Sequence, residues 1–121
     1  MEYKYDVFLI CPVRNATVFQ KRQIDEYIQG LEDNGITVYY PATDTDQDDT
    51  TGLRICTDNK KAILDSKEVA IYWDKESSGS LFDLGMAFCA GKLITIVNID
   101  EMIKTEGKSF VNMIRQWSFM K

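Results

Sequence analysis

Val69 to Trp73, VAIYW, runs through a short polar link into Ser77 to Lys92, SSGSLFDLGMAFCAGK, and the order of these pieces decides the fold. The first piece is continuously apolar and of strand length. The second opens on small residues and continues with Leu81, Leu84, Phe88 and Cys89 at helical spacing, so a strand, a tight loop and a helix follow one another. The first turn of a helix leaves backbone N–H groups without partners, and together with the helix dipole they favour an anionic or strongly polar ligand. Asp83 is the only carboxylate in the stretch and is expected in that first turn. It reads either as a catalytic carboxylate at a pocket mouth or as part of an ordinary helix start, with Ser80 as cap and Asp83 three residues on.

Working outward, Tyr5 to Cys11 is a second apolar run, stopped by Pro12. Phe19, Ile24, Tyr27, Ile28 and Leu31 then recur at helical spacing up to Asp33, and Asn34-Gly35 ends that helix. Ile36 to Tyr40 is β-branched and aromatic, and Pro41 closes it. Leu53 to Asp65 is a further helix, and the one begun at Ser80 stops before Gly91. Leu93 to Ile99 is a fourth strand, and Phe110, Met113, Ile114 and Trp117 mark a C-terminal helix with an apolar stripe. No segment reads as a defensible fifth strand. Strands alternating with helices require an α/β domain whose parallel sheet carries helices on both faces. Without repeats or linkers, residues 1–121 read as one domain.

In such a sheet ligands bind beyond the carboxyl ends of the strands, where the strand order reverses. Three segments meet there: the loop with Arg14 and Asn15, the acidic insert Ala42 to Thr51, and the loop from Ser77 to Ser80. The insert is expected to be solvated and mobile, with a lid as its one functional use. Its alternating Asp44, Asp46 and Asp48 imitate a calcium loop, but the sixth position is Asp49 where glycine is needed and the twelfth is Ile55 where glutamate is needed.

Composition removes several mechanisms. The chain has no histidine, which excludes Ser–His–Asp and Cys–His catalysis and histidine-bound metals; no metal or other cofactor is expected. A net charge of −5 argues against binding nucleic acid through its phosphates. Three scattered cysteines fit reduced thiols in the cytoplasm better than a disulfide framework, and neither a membrane span nor a signal peptide is read. Acid–base or nucleophilic chemistry is left to carboxylates, Tyr, Lys, Cys or Ser.

Taken together, Asp58, the SSGS loop and the helix opening FDLGMAFCAGK resemble the nucleoside 2-deoxyribosyltransferase family and the related 2'-deoxynucleoside 5'-phosphate N-glycosidases, over about residues 5 to 97. The most specific part is acid-Leu-Gly-x-Ala from Asp83 to Ala87, with Gly91-Lys92 soon after. The resemblance implies a flavodoxin-like three-layer sandwich, with four to five parallel strands in the order 2-1-3-4(-5). It also implies cleavage or transfer of the N-glycosidic bond of a nucleoside or nucleoside 5'-monophosphate. Asp83 would be the nucleophile on C1' and Asp58 the acid that serves the base. Ser77, Gly79 and Ser80 would hold substrate, with Arg14 and Asn15 contributing from the first loop, and Ser77 and Arg14 matching the phosphate-binding positions of the monophosphate-hydrolysing branch. Relatives assemble as dimers or larger oligomers, which gives the C-terminal stripe a use as an interface; covering the sheet is the other. Asp83 stands where the family has Glu, and Phe8 where it has Tyr. The run YDVFLI is also similar to the opening of TIR domains, which implies an NAD-cleaving or a non-catalytic nucleotide-binding or interaction module as the alternative.

Overall fold

The computed structural model describes residues 2–120 and contains four parallel strands flanked by helices in a flavodoxin-like arrangement. In chain order the elements are β1 (Tyr5–Ile10), α1 (Val18–Asp33), β2 (Val38–Tyr39), α2 (Pro41–Asp44), α3 (Leu53–Leu64), β3 (Ser66–Ile71), α4 (Ser78–Cys89), β4 (Ile94–Ile96), a short 3-10 turn (Ile99–Glu101) and α5 (Phe110–Ser118). The sheet order is β2-β1-β3-β4, so the order reverses between β1 and β3. No fifth strand occurs among the described residues.

Alternation along the central strands divides the core in two. Val7, Leu9 and Cys11 of the β1 run join Ala70 and Tyr72 against Ile24, Tyr27, Ile28 and Leu31 of α1. Phe8, Ile10, Val69 and Ile71 face the other way, onto Ala62 and Ile63 of α3, Leu84 and Ala87 of α4 and Ile114 of α5. Phe8, Leu9, Ile10, Ala70 and Ile71 have no exposed surface, which explains why both central strands read as unbroken apolar runs.

The ends of the elements obey local chemistry. Thr17 caps α1 in a reciprocal box: its hydroxyl accepts from Gln20 N at 3.0 Å, and its own N–H donates to Gln20 Oε1 at 2.9 Å. Gly35 and Gly91, both at positive φ, follow α1 and α4 where a Cβ would be strained. Pro41, expected only to end β2, also opens α2, because its fixed φ suits a first helical position.

Sequence expectations are revised at several element ends: β2 is Val38–Tyr39 where Ile36 to Tyr40 was expected, and β3 is Ser66–Ile71 where Val69 to Trp73 was expected. The cap of α4 is Ser77 rather than Ser80: the Ser77 hydroxyl accepts from Ser80 N at 3.2 Å. The helix therefore starts earlier, and Asp83 lies in its second turn rather than its first. β4 is three residues long where Leu93 to Ile99 was expected, because the chain turns at Val97 and Asn98. Asn98 instead clasps the end of β3, accepting from Trp73 N at 2.7 Å and donating to Trp73 O at 2.9 Å. The acidic insert is also tied down. Gln47 donates to Pro41 O at 2.9 Å, Asp49 accepts from Ile55 N at 3.0 Å, and Arg54 donates to Asp48 O at 3.2 Å and to Asp46 O.

The two hydrogen bonds from Asn98 hold the loop that precedes α4, so Asn98→Ala is expected to lower stability by about 1–3 kcal/mol, which urea unfolding would measure as a reduced midpoint. An unchanged midpoint would show that the clasp contributes nothing.

Candidate functional site

The carboxyl ends of β1 and β3 deliver Cys11 and Trp73 to the place where the strand order reverses, and α4 begins beside them. Asp83 is on the face of α4 that turns inward with Ser80, Leu84 and Ala87, and it is 8% exposed. Burial disfavours its charged form and pushes its carboxyl up to about 7, while a hydrogen bond from the Asn59 side chain acts in the opposite direction. A carboxyl group so placed is shared between its two protonation states near neutral pH, a condition suited to acid–base or nucleophilic work.

Asn59 is the residue of α3 that reaches Asp83, and it is itself 5% exposed. Its Oδ1 accepts from the Thr45 hydroxyl at 2.8 Å, and Thr45 Oγ1 is 2.6 Å from the Tyr39 hydroxyl. Thr45 is buried as well, and the Tyr39 ring is stacked on Phe8 with centroids 5.4 Å apart. A hydrogen-bonded line therefore runs from β2 to α3 through Tyr39, Thr45 and Asn59, and the Tyr39 hydroxyl also donates to Asp44 O at 3.1 Å. Asn59, Thr45 and Tyr39 were not among the candidates drawn from the sequence. Thr45 and Asn59 lie 14 residues apart without a shared motif, and nothing but their burial beside a carboxylate distinguishes them.

Asp58, one residue earlier, faces elsewhere. Its carboxylate is 2.7 Å from Arg54 Nη1, the two side chains are 46% and 40% exposed, and Asp58 is not among the groups that shift Asp83. An exposed pair one helical turn apart contributes about 0.5 kcal/mol or less. Its place in the structure is beside the acidic insert, whose carbonyls the same Arg54 holds.

The remaining candidates lie around the α4 start. Ser77 and Ser80 hydroxyls are 2.8 Å apart, with Ser80 fully enclosed and Ser77 half-buried. Gly79 is exposed, and a Cβ there would meet nothing. Arg14 and Asn15 are exposed in the loop after β1. The structure thus brings Ser77, Ser80 and Asp83 together on one helix, with Asn59 against Asp83. Trp73 is partly buried against the core, whereas Phe82 is 57% exposed beside Asp83 in sequence. Two surface hollows, about 510 and 660 Å³, lie along α1 and beside β2, and neither borders Asp83.

The titratable neighbours of Asp83 are thiols. Burial, and after it the Asp83 and Asp25 charges, push Cys11 up to about 12, and Cys56 is raised by burial and by Asp83. Both are neutral near pH 7, so neither is a ready nucleophile. All three cysteines are unpaired, and among the described residues no His, Cys, Asp or Glu cluster could hold a metal ion.

The Asp83 proton carries a stability signature. The folded state holds it up to about pH 7, while an unfolded chain releases it near 3.8; stability from this group therefore falls as pH rises through that window and levels off above it. Asp83→Asn keeps an acceptor for Asn59 without the buried charge. It is expected to be more stable than the parent at pH 8, by up to about 4 kcal/mol, and to match it near pH 4. Urea unfolding across this range checks the difference, and parallel curves for the two proteins would refute it. No protein-family model matches the chain and no curated protein is significantly similar to it.

Proposed function

We propose that the chain cleaves or transfers the N-glycosidic bond of a nucleoside or nucleoside 5'-monophosphate, with Asp83 as nucleophile. The observation that carries this reading is a single buried carboxyl, raised toward neutrality, on the helix that follows β3 at the reversal of a parallel sheet. In the first step an Asp83 carboxylate oxygen bonds to C1' as the C1'–N bond breaks, and the electron pair leaves with the base, which takes up a proton. In the second, water or another base attacks C1', the ester to Asp83 breaks, and the carboxylate is restored. Asp58, the acid that the resemblance gives to the base, is half exposed and paired with Arg54, so the donor to the leaving base is left unassigned. Arg14, Asn15, Ser77, Gly79 and Ser80 are assigned to the sugar and phosphate, since the loop and the α4 start offer a cation, hydroxyls and a helix N-terminus.

The mechanism requires no metal or organic cofactor, and three unpaired cysteines suit a cytoplasmic setting. The partner protein is assigned to a second copy. Ile114 and Trp117 of α5 pack on the core, but Phe110 and Met113 remain exposed, as do Phe82 and Phe88 of α4. A homodimer is expected in analytical ultracentrifugation, and a monomer at every concentration would refute it.

A non-catalytic nucleotide-binding or interaction module is the rival. Incubation with deoxynucleosides, their monophosphates and NAD, followed by chromatography of free base, separates the readings; NAD cleavage alone would point to TIR-like chemistry. Release of base is expected to increase with pH through about 7, as Asp83 ionises, and to vanish in Asp83→Ala with the fold retained. Activity persisting in that variant would remove Asp83 from the mechanism.

A further inference from the structure

We propose that the outer face of α4 is where two copies of this chain meet, with Gly85 at the point of closest approach. This rests on the proposed function for the second copy alone, and for nothing of the chemistry. α4 has no charged residue except Asp83, and Asp83 turns inward. Beyond the first turn its exposed residues are Phe82, Gly85, Phe88 and Cys89, whereas α1 exposes Lys21, Arg22 and Asp25, and α3 exposes Lys60 and Lys61. A helix that is apolar all round belongs in an interior, and the outer side of α4 has none in the single chain. Gly85 sharpens the point. Glycine weakens a helix interior, its φ here is not positive, and a Cβ at this position would meet nothing within 4 Å. Nothing inside the chain therefore requires a glycine there; the close approach of a second backbone does.

Area and charge select the occupant. Phe110, Met113 and Trp117 share one stripe of α5, and the Trp117 ring meets Phe88 edge-on at 5.2 Å, so the apolar faces of the two helices are continuous. Phe82, Phe88 and Phe110 are 57%, 62% and 61% exposed, and Met113 is 39% exposed. With roughly 200 Å² for each aromatic side chain, these four leave on the order of 400 Å² of apolar surface in water. A standard interface covers about 800 Å² on each partner, a little over half of it apolar, so the patch has the size that one more copy needs. The chain carries a net charge of −5, and two copies repel least where the meeting faces hold no charge. A two-fold axis lying in the interface and crossing α4 at Gly85 sets the helix antiparallel to its mate, with the two helix dipoles opposed. Phe82 and Cys89, on either side of the crossing, then face the partner's Cys89 and the partner's Phe82.

Sedimentation of the full chain tests this. Gly85→Glu places its side chain in open space in the single chain but against the partner's backbone in the pair. It is expected to weaken dimerisation by about 100-fold or more while circular dichroism shows the fold retained. Phe82→Cys gives a second measurement, which decides the question even if Gly85→Glu fails to fold. The introduced thiol lies about 10 Å along the helix from Cys89 of its own chain, too far for an internal bridge. Mild oxidation with diamide is therefore expected to join it to the partner's Cys89, giving a dimer on a denaturing gel without reductant that disappears when Cys89→Ser is added. A dimer unaffected by Gly85→Glu, or no link through Cys89 in a protein that dimerises, would overturn the proposal and leave the second copy on another face. A monomer at every concentration would overturn both the proposal and the homodimer. Base release from the same samples is read separately: its absence from a protein that pairs through α4 would overturn the glycosidic reading and leave this interface standing.

Discussion

The parallel ladder between β1 and β3 organises the molecule. It pairs Tyr5 with Ser66, Val7 with Glu68, Phe8 with Val69, Leu9 with Ala70 and Ile10 with Ile71, while β2 and β4 contribute only two and three residues at the edges. Parallel neighbours cannot be joined by a tight turn, so the chain between them must cross over, and it does so through α1, β2, α2 and α3. The crossover delivers α3 to the face that α4 also covers. Asn59 and Asp83, 24 residues apart, become neighbours because their helices pack on the same side of this ladder.

The buried carboxyl strains against this arrangement. Burial opposes the ionisation of Asp83, a cost that an apolar residue of similar size at this position of α4 would not carry. A single amide from Asn59 offsets part of that cost. Retaining a partly satisfied acid inside a small core is the pattern expected of a functional group held ready at the expense of stability. Ser77 and Ser80 show the contrary case: their hydroxyls bind each other and a helix N–H, so ordinary capping accounts for their present geometry.

Much of the architecture was legible beforehand because central strands and helix stripes are statements about burial, and burial is written locally. The runs at Tyr5–Cys11 and Val69–Trp73 follow directly from which residues avoid water, whereas the stripes do so only in part: Ile24, Ile114 and Trp117 are buried, but Phe19, Phe110 and Met113 are exposed. Errors gathered at the edges of elements. Ser77 and Ser80 are equally good caps on paper, and only the backbone path out of β3 selects the first. The acidic insert reads as mobile from its composition, yet Arg54 and Asp49 tie it to α3, using residues whose partners cannot be ranked from spacing.

What the order of residues determined alone is the class of fold, the buried central strands and the position of Asp83 as the sole acid on the helix after one of them. Those depend on periodicity and on short-range chemistry, which neighbouring residues express. What only the folded molecule decided is which side chain of α3 attends that acid. Asp58 and Asn59 are adjacent, and a step of one residue on a helix turns a side chain by about 100 degrees, toward Arg54 and solvent in one case and into the core in the other. That choice follows from how α3 is rotated against α4, a quantity set by packing across the whole sheet.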